Sequence, residues 1–200
     1  MSDCCDHGHE LDELAQKQRT VLWAVLIINA VMFGVELVSG LRSRSLALTG
    51  DSLDMLGDAL AYGTSLYVLN RSDRAQARAA LFKSGLMFLS AIVIFGRAIY
   101  QLWRPELPTP SVMGAIALLA LIANLVCLIA LTRHRNDNLN LRSVWLCSRN
   151  DLINNMSVIV AAGLVALFAS PWPDVAVGLL VTFIVARSAG RVLRQAWGQA

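Results

Sequence analysis

The sequence predicts an all-α integral membrane protein with six transmembrane helices. Apolar residues make up 56% of the 200-residue chain and charged residues only 16%, whereas a soluble domain holds about 25% charged residues. Six apolar runs follow one another, each about the twenty residues that a helix needs to cross the hydrocarbon core. Backbone groups in lipid are satisfied only in helices or closed barrels. Because the runs lack the alternation of a strand, they are predicted to be helices.

The six predicted spans are joined by short linkers that are polar or contain proline, so successive helices are expected to run antiparallel. They cover approximately residues 21–40, 45–69, 79–103, 110–132, 142–169 and 173–195. The first apolar run is longer than the roughly 7–15 residues of a signal-peptide core, which favours a span. We therefore expect a flexible tail over 1–20, a six-helix transmembrane domain over 21–195, and a short C-terminal end over 196–200.

Basic residues predict the orientation of the chain. Most Lys and Arg residues outside the spans lie on the side of the two termini. Because cytoplasmic loops carry the excess of basic residues, we expect both termini in the cytoplasm and a multi-pass protein of the cell (inner) membrane. Arg97, near the end of span three, is expected to extend its side chain to the membrane interface. The net charge of +3 is too small and too scattered to indicate a nucleic-acid partner.

Span two contains three acidic residues, Asp51, Asp54 and Asp58. A carboxylate in the middle of a span costs about 2.5–3.5 kcal/mol, so three in one helix call for a function. Their spacing of i, i+3 and i+7 places them on one helical face. The alternative is that they pair with basic residues or stabilise helix packing.

Span five repeats this arrangement with Cys147, Asp151 and Asn155 at i, i+4 and i+8. Two helices thus each offer an i, i+4 pair, Asp54 with Asp58 and Cys147 with Asp151. Facing each other, the pairs would form a site of three carboxylates and a thiolate, and tetrahedral zinc accepts both donor types. The thiolate shifts the preference toward softer ions. For Cys147, a small buried side chain without a ligand role is the alternative.

Other polar residues within the spans give weaker signals. Asn29 and Glu36 share a face of span one, and Asn124 lies in span four. Hydrogen bonding between helices is the expected role of the two asparagines. Glu36, together with Asp51 and Asn155, is predicted to be a secondary pore-lining or proton-linked group.

The remaining thiols and imidazoles concentrate at the N-terminus. The pattern C-C-x-H-x-H places four soft donors within six residues, which predicts metal capture by the tail, and a chance cluster is the alternative. These donors are Cys4, Cys5, His7 and His9. Cys127, inside span four, is expected to serve packing.

Three segments resemble the cation diffusion facilitator family of metal transporters: NAVMFGVELVSG, SLALTGDSLDMLGDALA and LNLRSVWLCSRNDLINNMSVIVA. By position, Asp54 and Asp58 take the two span-two ligand places and Asp151 takes the span-five aspartate. Cys147 stands where the family usually has histidine. The resemblance implies transport of divalent heavy metals of the zinc, cadmium and cobalt type, zinc foremost, out of the cytoplasm in exchange for protons. The metal is then substrate, and no permanently bound cofactor is expected.

Elementary electrostatics supports such an exchange. Clustered carboxylates repel one another in a low-dielectric cavity, so some hold protons when the site is empty. Metal ligands must be deprotonated, so metal binding expels protons. The expected partners are membrane lipid, a divalent metal ion and protons, with a homodimer left open. Because the chain ends at Ala200, the family's cytoplasmic metal-binding domain is expected to be absent.

Two other functions are compatible with parts of the sequence. Residues 48–51, Leu-Thr-Gly-Asp, half resemble the G-x-G-D signature of intramembrane aspartyl proteases, but a protease dyad leaves Asp54 and Asp58 unexplained. The sequence therefore favours a protein that is not an enzyme. A membrane accessory protein that binds metal without transporting it is the second alternative.

Overall fold

The computed structural model describes residues 3–68, 73–132 and 139–197, with side chains described for 19–63, 66, 85–132, 149, 151–187 and 190. Six α-helices account for nearly all of these residues, so the predicted all-α architecture is confirmed. The helices are α1 (Asp3–Ser43), α2 (Leu46–Val68), α3 (Asp73–Trp103), α4 (Pro110–Thr132), α5 (Leu139–Phe168) and α6 (Trp172–Trp197).

The N-terminal segment differs from its sequence-based expectation. The sequence predicts a flexible tail over 1–20, whereas the backbone is helical from Asp3 and continuous with the first span. Extending a helix that is already formed avoids the cost of nucleation, which explains how so polar a segment becomes helical. The side chains of the four predicted metal-capturing residues lie outside the described ones. Metal capture and the domain boundaries therefore stay predictions.

Several helices have the length and composition of membrane spans. Within the described residues, four stretches are long and apolar enough, namely Arg19–Ser43, Gly85–Trp103, Pro110–Thr132 and Asp151–Phe168. The described part of α2 carries three aspartates and is therefore not apolar enough to be counted. For α6, too few side chains beyond residue 187 are described for its composition to be judged.

The burial pattern is that of a protein in lipid. In α4 the polar Asn124 is 1% exposed, whereas the outward face of the helix is apolar. That face consists of Leu118, Leu119, Ile122, Leu125, Val126 and Ile129. Apolar side chains outside and polar side chains inside are what a bilayer requires.

The helices form two groups. α1, α2, α4 and α5 form a ring in which each helix contacts two others of the ring. α3 and α6 pair with each other, and both pack against α2. The helix with the acidic residues, α2, therefore contacts α1, α3, α5 and α6.

α1 and α2 run antiparallel and approach each other most closely near the turn that joins them. A Cβ on Gly40 would lie 2.7 Å from Oγ1 and 2.8 Å from the backbone nitrogen of Thr49. Further along, a Cβ on Gly63 would lie 3.4 Å from Leu26. Because the close contact at position 40 is with backbone, only glycine permits it.

The turn between α1 and α2 is bonded to the loop that joins α3 to α4. Arg44 has a positive φ of 61°, which ends α1 in the left-handed conformation common at helix C-termini. The Arg44 carbonyl accepts a hydrogen bond from Gln101 Nε2 at 3.0 Å. The Thr109 N–H donates to the Ser43 carbonyl, also at 3.0 Å. Arg44 and Glu106 add an exposed ion pair at 3.6 Å.

We expect Gly40→Ala to destabilise the protein by about 1–3 kcal/mol, because the new methyl group forces the backbones of α1 and α2 apart. Thermal unfolding of the purified protein in detergent measures this. Gly34→Ala on the same helix is the matched control, since its Cβ would meet nothing within 4 Å. That change should keep or raise stability, because alanine is the better helix former by about 1 kcal/mol. Equal midpoints for the two variants would contradict the close approach.

Candidate metal site

The acidic residues of α2 lie within the helix bundle. Asp51 is fully buried, and Asp54 and Asp58 are half-buried. Asp54 acts electrostatically on Asp51, and Asp58 acts on Asp54, so the three carboxylates form a continuous row along the helix. The three side chains therefore interact with one another along the predicted face of α2.

A hydrogen bond joins this acidic face to α5. Asn154 Nδ2 donates to Asp54 Oδ2 across the interface between the two helices. Asn155 was predicted from the sequence, whereas Asn154 was not. The spacing could have indicated it, because Asn154 lies at i+3 from Asp151 and i+7 from Cys147. The bond shows that α2 turns Asp54 toward the same helix that carries Asp151 and Cys147.

Tyr62, one turn after Asp58, orients the next carboxylate. Its hydroxyl donates to Asp58 Oδ2 at 2.7 Å. The ring is fully buried in an apolar cluster with Val25 and Cys127. Because packing fixes the ring, its hydroxyl holds the Asp58 carboxylate in a defined direction. Cys127 is itself a buried free thiol, as expected for a packing residue.

Glu36 of α1 lies next to the same row of acids. It is fully buried, and the charges of Asp51 and Asp54 act on it. Neither carboxyl oxygen of Glu36 or of Asp51 has a hydrogen-bond partner among the described residues. An unpaired charge in such a place costs several kcal/mol. Each of these two carboxyl groups is therefore expected to hold a proton or to interact with a cation.

The described polar residues of α5 are buried as well. Asp151 is 7% exposed and Asn155 is fully buried. Asn155 Nδ2 donates to the Asp151 carbonyl at 2.8 Å, within its own helix. The Asn155 side-chain oxygen has no partner within the described part of the chain.

The two asparagines expected to bond between helices are both buried. Asn29 Nδ2 donates to the Val25 carbonyl of its own helix at 2.9 Å and lies 4.0 Å from the Cys127 sulfur on α4. For Asn124, the side-chain nitrogen has no hydrogen-bond partner among the described residues.

The N-terminus of α2 is held by an acidic residue that the sequence analysis missed. Asp174 of α6 accepts hydrogen bonds from the Leu46 and Ala47 N–H groups and from the Ser45 hydroxyl. The Arg97 guanidinium, which is half-buried, donates to Thr49 Oγ1 in the first turn of α2 at 2.9 Å.

The structure places Asp54 and Asp58 on α2 and Asp151 on the adjacent α5. Asp54 and Asp58 lie on the face of α2 that is linked to α5, and Asp151 is buried on α5. Among the described side chains, no group of three His, Cys, Asp or Glu residues has a metal-binding arrangement. Cys147 lies outside the described side chains, so the complete four-ligand set stays a prediction.

The apolar helices and the buried carboxylates together define this chain as a multi-pass helical membrane protein with polar groups in its interior. More specifically, the chain belongs to the cation efflux family, because residues 22–197 match the model of the cation efflux transmembrane domain. The resemblance to cation diffusion facilitators is therefore confirmed.

Curated relatives agree with this assignment. The chain is 27% identical to the metal cation efflux system protein CzcD of Cupriavidus metallidurans, over 93% of the chain and 65% of the relative. It is 30% identical to the zinc transporter ZitB of Pectobacterium atrosepticum, over 94% and 62%. It is 25% identical to the cadmium, cobalt and zinc/H(+)-K(+) antiporter of Bacillus subtilis, over 94% and 64%. The chain spans slightly less than two thirds of the length of these relatives.

We expect Tyr62→Phe to weaken zinc binding about tenfold, because residues that orient a ligand typically contribute that much. Zinc titration against a fluorescent competitor in detergent measures the affinity. Tyr100→Phe is the control, since Tyr100 is 56% exposed on α3. Unchanged affinity in Tyr62→Phe would show that Asp58 needs no orienting hydroxyl, or does not bind metal.

Proposed function

We propose that this protein carries divalent heavy-metal cations of the zinc, cadmium and cobalt type out of the cytoplasm in exchange for protons. The observation that supports this most directly is the Asn154–Asp54 hydrogen bond, which joins the acidic face of α2 to α5 inside the bundle. Curated relatives are named as metal cation efflux and zinc transport proteins, and one as a metal antiporter.

The metal ligands in this proposal are Asp54, Asp58, Cys147 and Asp151. Three carboxylates and a thiolate match the oxygen and sulfur donors that zinc accepts in tetrahedral sites. Asn154 and Tyr62 would hold the Asp54 and Asp58 carboxylates in place while no metal ion is bound. Asn154 occupies only Oδ2 of Asp54, so Oδ1 would be available to the ion.

Glu36 and Asp51 are assigned to the protons of the exchange, with Asn155 lining the pore beside Asp151. The support is that both carboxyl groups are fully buried beside Asp54 and lack hydrogen-bond partners among the described residues. A metal ion bound at Asp54 would repel protons from these neighbours, which couples metal entry to proton release.

The cellular setting of the proposal follows from the charge pattern. Both termini lie in the cytoplasm, and the protein resides in the cell (inner) membrane. The N-terminal cysteines and histidines would then meet cytoplasmic metal first, and a homodimer is a compatible assembly. Zinc is the leading substrate, and no permanently bound cofactor takes part.

We expect Asp58→Asn and Asp151→Asn each to abolish metal-dependent proton flux, because the asparagine amide lacks the negative charge of the carboxylate. The assay follows the internal pH of proteoliposomes after addition of zinc, cadmium or cobalt. Glu106→Gln is the matched control, since it neutralises an acid outside the helices whose described partner is the exposed Arg44 side chain.

The outcomes of that assay separate the candidate functions. Wild-type flux in both aspartate variants would remove these residues as ligands. Metal binding by the wild-type protein without any flux would indicate the accessory role instead. Cleavage of peptides by the purified protein would favour the protease.

We expect Cys147→His to retain transport but to shift its preference from cadmium or mercury toward zinc. A thiolate favours soft ions more strongly than an imidazole does. Flux measured across a panel of divalent ions gives the profile, with Cys127→Ser as a control at a thiol that packs near Tyr62 and Asn29. An identical metal profile in Cys147→His would show that the thiol does not coordinate.

A further inference from the structure

Asp174 provides an unusual set of contacts between two helices. Its Oδ2 accepts the Leu46 N–H at 2.7 Å, and its Oδ1 accepts the Ala47 N–H at 3.1 Å and the Ser45 hydroxyl at 2.6 Å. Asp174 is fully buried, so these bonds have no competition from bulk water. All three donors belong to the first turn of α2 or the residue before it, whereas Asp174 belongs to α6.

The N-terminus of α2 is capped partly by its own N-cap residue and partly by a residue of α6. The first backbone N–H groups of any helix lack partners within that helix. Ser45 is the N-cap residue and accepts the Leu48 N–H at 3.0 Å, as an N-cap serine normally does. The two preceding N–H groups, of Leu46 and Ala47, rely on Asp174. α2 therefore depends on α6 for the completion of its own N-terminus.

Charge strengthens this attachment. A carboxylate at a helix N-terminus is stabilised by the helix dipole, and Asp174 lies at the N-termini of both α2 and α6. Arg97 of α3 interacts electrostatically with Asp174 and donates a hydrogen bond to Thr49 of α2. Three helices are thus tied together at the first turn of α2.

Close packing acts at the same place. A Cβ on Gly178, one turn after Asp174, would lie 2.6 Å from the Leu46 carbonyl carbon and 2.7 Å from the Ala47 nitrogen. The backbones of α2 and α6 are therefore in direct contact beside the carboxylate. Hydrogen bonds and steric contact together leave α2 little freedom to slide along α6.

We propose that Asp174 is a positioning residue that sets the height of the Asp54 and Asp58 carboxylates relative to α5. Asp54 follows Leu46 by eight residues, about 12 Å at 1.5 Å per residue, within one unbroken helix. A displacement at the first turn is therefore transmitted to the acidic residues. This inference rests on the proposed metal site, and it assigns to α6 a part in that site although α6 supplies none of the proposed ligands.

The test uses Co²⁺ as the probe, because its visible absorption depends on the number and geometry of its ligands. We expect purified Asp174→Asn, which lacks the negative charge, to bind Co²⁺ about tenfold more weakly than the wild type. Its bound Co²⁺ should also show a changed absorption spectrum. Glu106→Gln is the control for loss of an acid, and its affinity and spectrum should equal those of the wild type.

A second variant moves α2 without changing any charge. Gly178→Ala places a methyl group against the backbone of α2, so it should also weaken Co²⁺ binding and change the spectrum. Gly163→Ala is its matched control, because a Cβ at that position of α5 meets nothing within 4 Å. If Asp174→Asn does not fold, the result for Gly178→Ala alone tests the positioning role.

The results separate this inference from the proposed function. Wild-type affinity and spectrum in folded Asp174→Asn and Gly178→Ala, even with lowered thermal stability, would overturn the positioning role and leave a purely structural cap. Absence of Co²⁺ binding by the wild-type protein would overturn the proposed metal site and this inference with it. Altered spectra in both variants and neither control would support the positioning role.

Discussion

The placement of acidic side chains inside an apolar helix bundle is the constraint on which the rest of this structure depends. Each carboxylate within a span is costly unless neighbouring groups satisfy it. α2 resolves this by lying where four other helices surround it and by turning its aspartates away from lipid. The apolar outer face of α4 and the buried Asn124 show the same division of polarity. The fold thus keeps a row of polar groups inside the bundle, beside buried apolar clusters such as that of Tyr62, Val25 and Cys127.

Within that interior, the groups that contact the carboxylates come from different helices and have different chemistry. Asn154 offers an amide to Asp54 from α5, and Tyr62 offers a phenol to Asp58 from α2 itself. Both are neutral donors, which stabilise a carboxylate without cancelling its charge. Arg97, in contrast, bonds to Thr49 and interacts with Asp174. A positive charge is thereby kept with the cap of α2, and the row of acids retains its attraction for cations.

The sequence was sufficient for the helices and for the shared face of the acidic residues of α2, because both depend on local periodicity. The spans follow from apolar length, and the shared face of Asp51, Asp54 and Asp58 follows from their spacing. Contacts between helices could not be predicted from the sequence, because they depend on how each helix is rotated relative to its neighbours. Asp174 lies 128 residues from Leu46 in the sequence, and no local pattern predicts that it caps α2. The partner of Arg97 could not be predicted for the same reason, because Thr49 lies on another helix.

The bonded turn at the end of α1 bears on how such a bundle could open. Ser43 and Arg44 offer their carbonyls to Thr109 and Gln101, so the α1–α2 corner and the α3–α4 corner are fastened to each other. Separating the two corners would break both hydrogen bonds, each of which contributes about 1 kcal/mol. A movement that opens the bundle at its other end leaves these bonds intact, and the joined corners would then act as its pivot.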